Sequence, residues 1–196
     1  MKSIWKESIH WSIFIAVITL VLAAIFSIVS TAFLSGVGWA VGMLVVLIIV
    51  LTGVFFDMIG VAATAASEKP FHAMAAKKVP GSFQAMLITR NADKVANFCA
   101  DVIGDISGVV SGTAASAVVL QLTFSAGASD GSALQFTLNV IFTAVVAALT
   151  VGGKALGKTF AITKSTSIIF QVGRIFYVIE EKCKITLFKK KRKKDA

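Results

Sequence analysis

The chain has 196 residues, of which 57% are hydrophobic, and a mean hydropathy of +0.86. Soluble domains are closer to half apolar, and several apolar runs here reach the ~20 residues that cross a bilayer's hydrocarbon. Composition therefore excludes an ordinary soluble domain and leaves no room for a second globular one. The formal charge of +9 comes from 19 Lys and Arg against 10 Asp and Glu.

In chain order, Lys2 and Lys6 precede a first apolar run, residues 9–33, with Trp5 and Trp11 at its start as an aromatic belt would place them. The run is too long for a signal peptide's apolar core and no small-residue cleavage site follows, so it reads as a retained span. A second span covers about 37–66 and is long enough to tilt or to project beyond the lipid. Residues 67–95 are polar and basic. Pro80-Gly81 divides them into a cytoplasmic helical hairpin, with Ser82 a candidate N-cap for the second helix. Asn91 is a candidate cap for the next helix, with Asp93 in its first turn. A third span covers about 96–124 and a fourth about 133–151, ending at Gly152-Gly153. Residues 165–188 place Ile168, Val172, Ile175, Phe176 and Ile179 at helical spacing, which fits an amphipathic juxtamembrane helix. A polybasic tail, residues 189–196, closes the chain.

The expected architecture is thus an all-α integral membrane protein. It has four transmembrane helices and a cytoplasmic hairpin in residues 1–164, then the juxtamembrane helix and the tail. With four spans and both termini inside, all 19 Lys and Arg fall on the cytoplasmic side, as the positive-inside rule requires. So one-sided a distribution points to a multi-pass cell-membrane protein. The tail then reads as a stop-transfer flank, a solvated tail or a contact for anionic lipid headgroups at roughly 1 kcal/mol per basic residue, and the charge does not imply nucleic acid. Cys99 and Cys183 have neither disulfide nor zinc spacing. His10 and His72 lie far apart and are poor metal ligands. No nucleophile–base pair, P-loop or dinucleotide fingerprint is visible, so an enzyme is not expected.

The residues that stand out are acids inside spans. Asp101 and Asp105 lie four residues apart, about 6 Å on one helix face, and Asp57 lies in the preceding span. Counting along the helices puts Asp57 and Asp105 each about 13 Å from the cytoplasmic face. An ionised acid there costs several kcal/mol unless it is compensated, and such residues mark ion pathways, relays or ligand sites. No Lys, Arg or His falls in the central part of the spans as bounded above, so an internal salt bridge is not expected. The acids are then protonated packing residues, a proton relay, or ligands of a cation. For a cation, carboxylate oxygens favour Mg2+, Ca2+ or Mn2+, with Thr64, Ser107, Ser111 and the carbonyl near Gly60 to complete the shell. Gly104, Gly108 and Gly112 form overlapping GxxxG steps on one ridge, suited either to a dimer interface or to packing within the chain.

Three segments, in order, resemble the transmembrane domain of the CNNM/CorC (CorB) magnesium transporter family. Phe55-Phe56-Asp57-Met58-Ile59-Gly60-Val61-Ala62 is similar to its FFSxSExAL pattern. Asn91-Ala92-Asp93-Lys94 and Ile103-Gly104-Asp105 are similar to its NPxR-like start and IGN motif. Gly153-Lys154-Ala155-Leu156-Gly157-Lys158-Thr159 is similar to its closing GExxPKT. The resemblance implies Mg2+ held between helices at the positions of Asp57 and Asp105; the expected metal site as a whole is Asp57, Asp101, Asp105 and the carbonyl near Gly60, in a homodimer. Ile59 and Gly60 stand where the family has Ser and Glu, Lys154 where it has Glu, and Gly157 where it has Pro. No regulatory CBS pair follows, and an additional span precedes the core. The expectation is divalent-cation transport, with a non-transporting membrane scaffold or sensor as the alternative.

Overall fold

The computed structural model describes residues 2–127 and 131–183, without the side chains of residues 2–8, 11, 35 and 183. The polybasic tail, residues 189–196, lies outside the described residues. Among those described there is no strand, and the chain is an all-α membrane protein. Helix α1 spans Lys2–Ser35, α2 Trp39–Ala65, α3 Lys69–Ala76, α4 Ser82–Arg90 and α5 Ala92–Ala96. A π-helix over Asn97–Gly104 leads into α6, Asp105–Ser125. Helices α7, Ala133–Thr163, and α8, Ser165–Cys183, follow. Four stretches are long and apolar enough to cross a membrane: Ser12–Leu34, Trp39–Ala65, Ala92–Ser125 and Ala133–Thr163. The protein is therefore a multi-pass membrane protein.

Two compact units share these helices. The first comprises the described residues within 1–57 and 99–157, and the second those within 58–98 and 158–183. In the first, α1 packs along α6, and Ile15, Leu22 and Ala23 cover Val102, Ile106 and Val110. A second cluster joins Leu34 of α1, Val46 and Val50 of α2, Ala114, Ala115 and Val118 of α6, and Val146 of α7. Outward side chains such as Leu20 and Ile28 of α1 and Phe136 of α7 stay about 70% exposed, as lipid-facing positions would. Gln121 of α6 donates to the Leu34 carbonyl at 2.6 Å, satisfying an acceptor at the end of α1 that has no partner within the helix.

The second unit is built on α4 and α8. Phe71, Ala85, Met86, Ile88 and Ile169 bury together with Ala62, Ala63 and Ala161. A Cβ at Gly173 would stand 2.5 Å from the Gly81 carbonyl oxygen and 2.8 Å from the Ala85 nitrogen, so α8 crosses directly over the start of α4. Gln84 donates to Glu180 at 2.6 Å across the same pair. The buried face of α8 centres on Ile169 and Gly173, whereas Ile175 and Ile179, expected on one stripe with Val172, are exposed.

The N-cap of α4 is Gly81, at φ +85°, rather than Ser82. The chain must reverse left-handed after Pro80, which glycine does without a Cβ clash, and the Ser82 hydroxyl donates back to the Val79 carbonyl at 2.6 Å. Asn91 takes the N-cap position of α5 as expected, with Asp93 in the first turn. Its side chain, however, donates to the Leu87 carbonyl at 2.9 Å and so serves the end of α4.

Candidate functional site

The site lies in the first unit, where α2, the end of the π-helix and α7 meet. Asp57 of α2 is 4% exposed. Four residues earlier, Gly53 lets α2 lie against α6, since a Cβ there would be 2.7 Å from the Ser107 Cβ. A Cβ at Gly153 would be 3.0 Å from the Val54 side chain, so α7 approaches α2 closely on another side. These approaches converge on Gly104. A Cβ built on it would stand 3.7 Å from the Asp57 Cβ and 3.6 Å from Lys154 Nζ. Lys154 Nζ in turn donates to Asp105 Oδ1 at 3.1 Å.

The Lys154–Asp105 pair corrects the expectation that no internal salt bridge is available. That expectation ended the fourth span at Val151, because Gly152-Gly153 reads as a stop. The helix continues through both glycines to Thr163. Gly153 is there for the close approach to Val54, not as a terminator, and Lys154 is carried into the helix. The Lys154 side chain is 19% exposed, that of Asp105 69%. Lys154 therefore meets the acid from the packed side, while the carboxylate faces outward.

Gly104 thus lies against both Asp57 and Lys154, and Lys154 is bonded to Asp105. Asp101 is exposed on the π-helix. The i→i+5 bonding of that segment widens the turn and alters how Asp101 stacks on Asp105 relative to an unbroken α-helix. Gly60, one turn beyond Asp57 on α2, belongs to the second unit and is buried there. Among the described residues, no three His, Cys, Asp or Glu side chains converge as a metal centre would require. The Ser107 and Ser111 hydroxyls donate to the carbonyls of Ile103 and Gly108 at 2.8 and 2.9 Å, leaving their lone pairs as acceptors. Thr64 donates to the Val61 carbonyl at 2.9 Å in the second unit.

The GxxxG ridge is used at one position. Gly104 faces the site, whereas a Cβ at Gly108 or Gly112 would meet nothing within 4 Å. With the exposed Asp101, Asp105 and Ser116 they form an open face of α6 carrying small and acidic residues.

The chain matches no protein-family model, no curated protein and no solved structure. What the site can do must be argued from its chemistry. Two carboxylates lie on neighbouring helices, one buried and one bonded to an ammonium, on either side of the side-chain-free Gly104.

Proposed function

We propose that this protein moves a divalent cation, Mg2+ first among candidates, across the cell membrane. The observation that carries the reading is the packing of the buried Asp57 against Gly104, the neighbour of Asp105, inside apolar helices and with an ammonium bonded to Asp105. Acids at that depth are costly and mark ion paths, and hard oxygen donors suit Mg2+ or Mn2+ over softer ions. The resemblance of the segments around Asp57, Asp105 and Lys154 to the magnesium transporter family supports the same choice. In this reading Asp57, Asp101 and Asp105 bind the cargo ion. A second copy covers the open α6 face, since a carboxylate as exposed as Asp105 is poorly placed against lipid. Both termini lie in the cytoplasm, and the basic tail rests on anionic headgroups.

One observation favours a second reading. The Lys154–Asp105 pair neutralises an acid without any ion, as a non-transporting scaffold would need. Flux of Mg2+ and Mn2+ into proteoliposomes separates the two. Transport by the wild type that is lost in Asp57→Ala supports the transporter. Equal, protein-independent leak in both replaces it with the scaffold.

A further inference from the structure

We propose that His72 is a proton-operated switch on the α3–α4 hairpin. Its neutral ring completes the bond that Arg90 of α4 makes to Glu68, and its protonated ring claims Glu68 for α3 alone. The switch lies wholly in the second unit and needs nothing from the cation site.

Glu68 caps the start of α3 and His72 follows at i+4, so both project from one face of that helix. Arg90, in the last turn of α4, reaches the same face with two nitrogens of its guanidinium. Its Nε donates to Glu68 Oε1, and its Nη2 lies 3.2 Å from His72 Nε2. The same His72 nitrogen lies 2.8 Å from Glu68 Oε1. One ring nitrogen thus meets a donor and an acceptor together, and it can serve only one of them at a time. With a lone pair it accepts from Arg90. With a proton it donates to Glu68.

The charge on the ring makes the choice. Glu68 Oε1 already accepts from Arg90 Nε, so the neutral ring keeps its proton on Nδ1 and turns the Nε2 lone pair to Arg90. Both nitrogens of the guanidinium fork are then engaged, and α4 is tied to α3. Imidazolium carries a proton on each nitrogen. Its Nε2–H forms a charge-assisted bond to Glu68 and faces Arg90 Nη2 donor to donor. Protonation therefore converts His72 from an acceptor for Arg90 into its rival for the carboxylate. Glu68 keeps a cationic partner throughout, and what is lost is the tie between the helices. The surrounding groups leave that exchange to these three side chains. Arg90 is the one charged residue of α4, and Ala62, Ala63, Ala161 and Ile169, which bury with Phe71 from α2, α7 and α8, carry no charge. Lys69, three residues before His72 on α3, is exposed and keeps its charge in both states. Phe71 is fully buried with Ala85, Met86 and Ile88 of α4, so release of Arg90 loosens one edge of the hairpin without unfolding it.

The test is hydrogen exchange, read by mass spectrometry on the full-length protein in detergent. It compares about pH 8 with about pH 5.5, on either side of the range in which imidazole ordinarily titrates. Arg90 holds the Glu68 carboxyl below its usual 4.5, so Glu68 is ionised at both. After correction for the intrinsic pH dependence of exchange, wild-type α3 amides should exchange roughly 2- to 5-fold faster at the lower pH, the factor that one exposed ion pair is worth. His72→Gln, which can accept from Arg90 but cannot become charged, should exchange slowly at both. Arg90→Gln should exchange fast at both. A second measurement reads the tautomer. In His10→Gln, which leaves His72 the only imidazole of the chain, ring-nitrogen chemical shifts at about pH 8 should place the proton on Nδ1. Wild-type exchange that ignores pH, an equal acceleration in His72→Gln, slow exchange in a folded Arg90→Gln, or a neutral ring protonated on Nε2 overturns the inference. The wild-type, His72→Gln and tautomer measurements decide it even if Arg90→Gln fails to fold.

Discussion

A carboxylate carried into a membrane-spanning helix has to be neutralised, bonded or bound to a cation. Asp105 meets that demand through Lys154, and Asp57 sits 4% exposed on the facing helix. If the two acids share a cation, Asp57→Ala should abolish Mg2+ binding in calorimetric titration. Asp105→Asn, which keeps an oxygen and loses the charge, should retain part of it. Equal affinity in all three proteins would remove these acids from the site. The approach of α2 to α6 gives a separate prediction, about packing alone. A methyl at Gly53 would stand 2.7 Å from the Ser107 Cβ, and overpacking of this kind costs about 1–3 kcal/mol. Gly53→Ala should therefore lower thermal stability in detergent, and Gly53→Ala/Ser107→Gly should recover most of the loss. No recovery in the double variant would mean that the two helices do not meet there. The acids of the site were legible in the sequence because charges in apolar runs are conspicuous. Lys154 was not, because it follows two glycines, and glycine marks a helix end and a close helix contact with the same letter.

Among the elements, the spans were legible and their irregularities were not. The π-helix over Asn97–Gly104 carries no local signal, since nothing in NFCADVIG distinguishes i→i+5 from i→i+4 bonding. The register of α8 was also misjudged, because its apolar residues nearly encircle the helix and the partner, α4, decided which of them to bury. The α3–α4 hairpin adds a polar lock: Glu68, at the start of α3, is hydrogen-bonded by Arg90 of α4 and lies 2.8 Å from His72 Nε2. The Arg90 hydrogen bond, outweighing desolvation, holds the Glu68 carboxyl below its usual 4.5. The sign follows from the ionised form being favoured in the folded state. The contribution is complete above pH 4.5 and declines as pH falls through the depressed value. Glu68→Gln should therefore melt at a lower temperature than wild type at neutral pH. The gap should close as the pH is lowered below 4.5, once wild-type Glu68 is itself protonated. A gap that is constant with pH would show that the lock contributes by shape alone.

At the scale of the molecule, fold class was the most legible property, because hydrocarbon thickness fixes helix length and unpaired backbone is not tolerated in lipid. The expected spans at 9–33, 37–66 and 96–124 agree with the helices, while the fourth extends from its expected end at Val151 to Thr163. Orientation rests on charge. The stretch Gly36–Gly38 and the loop after Ser125 hold no Lys or Arg, whereas residues 67–95 hold Lys69, Lys77, Lys78, Arg90 and Lys94. Translocating each of these charges is unfavourable, so that segment should remain in the cytoplasm. Ser125 and Ala76 are exposed on the two sides of this divide and make suitable reporters. In a Cys99→Ser/Cys183→Ser background, Ser125→Cys should react with a membrane-impermeant maleimide on intact cells. Ala76→Cys should react only after permeabilisation. The opposite pattern would invert the protein in the membrane, move Asp57, Asp105 and Lys154 towards the external face, and require the cation to load from outside.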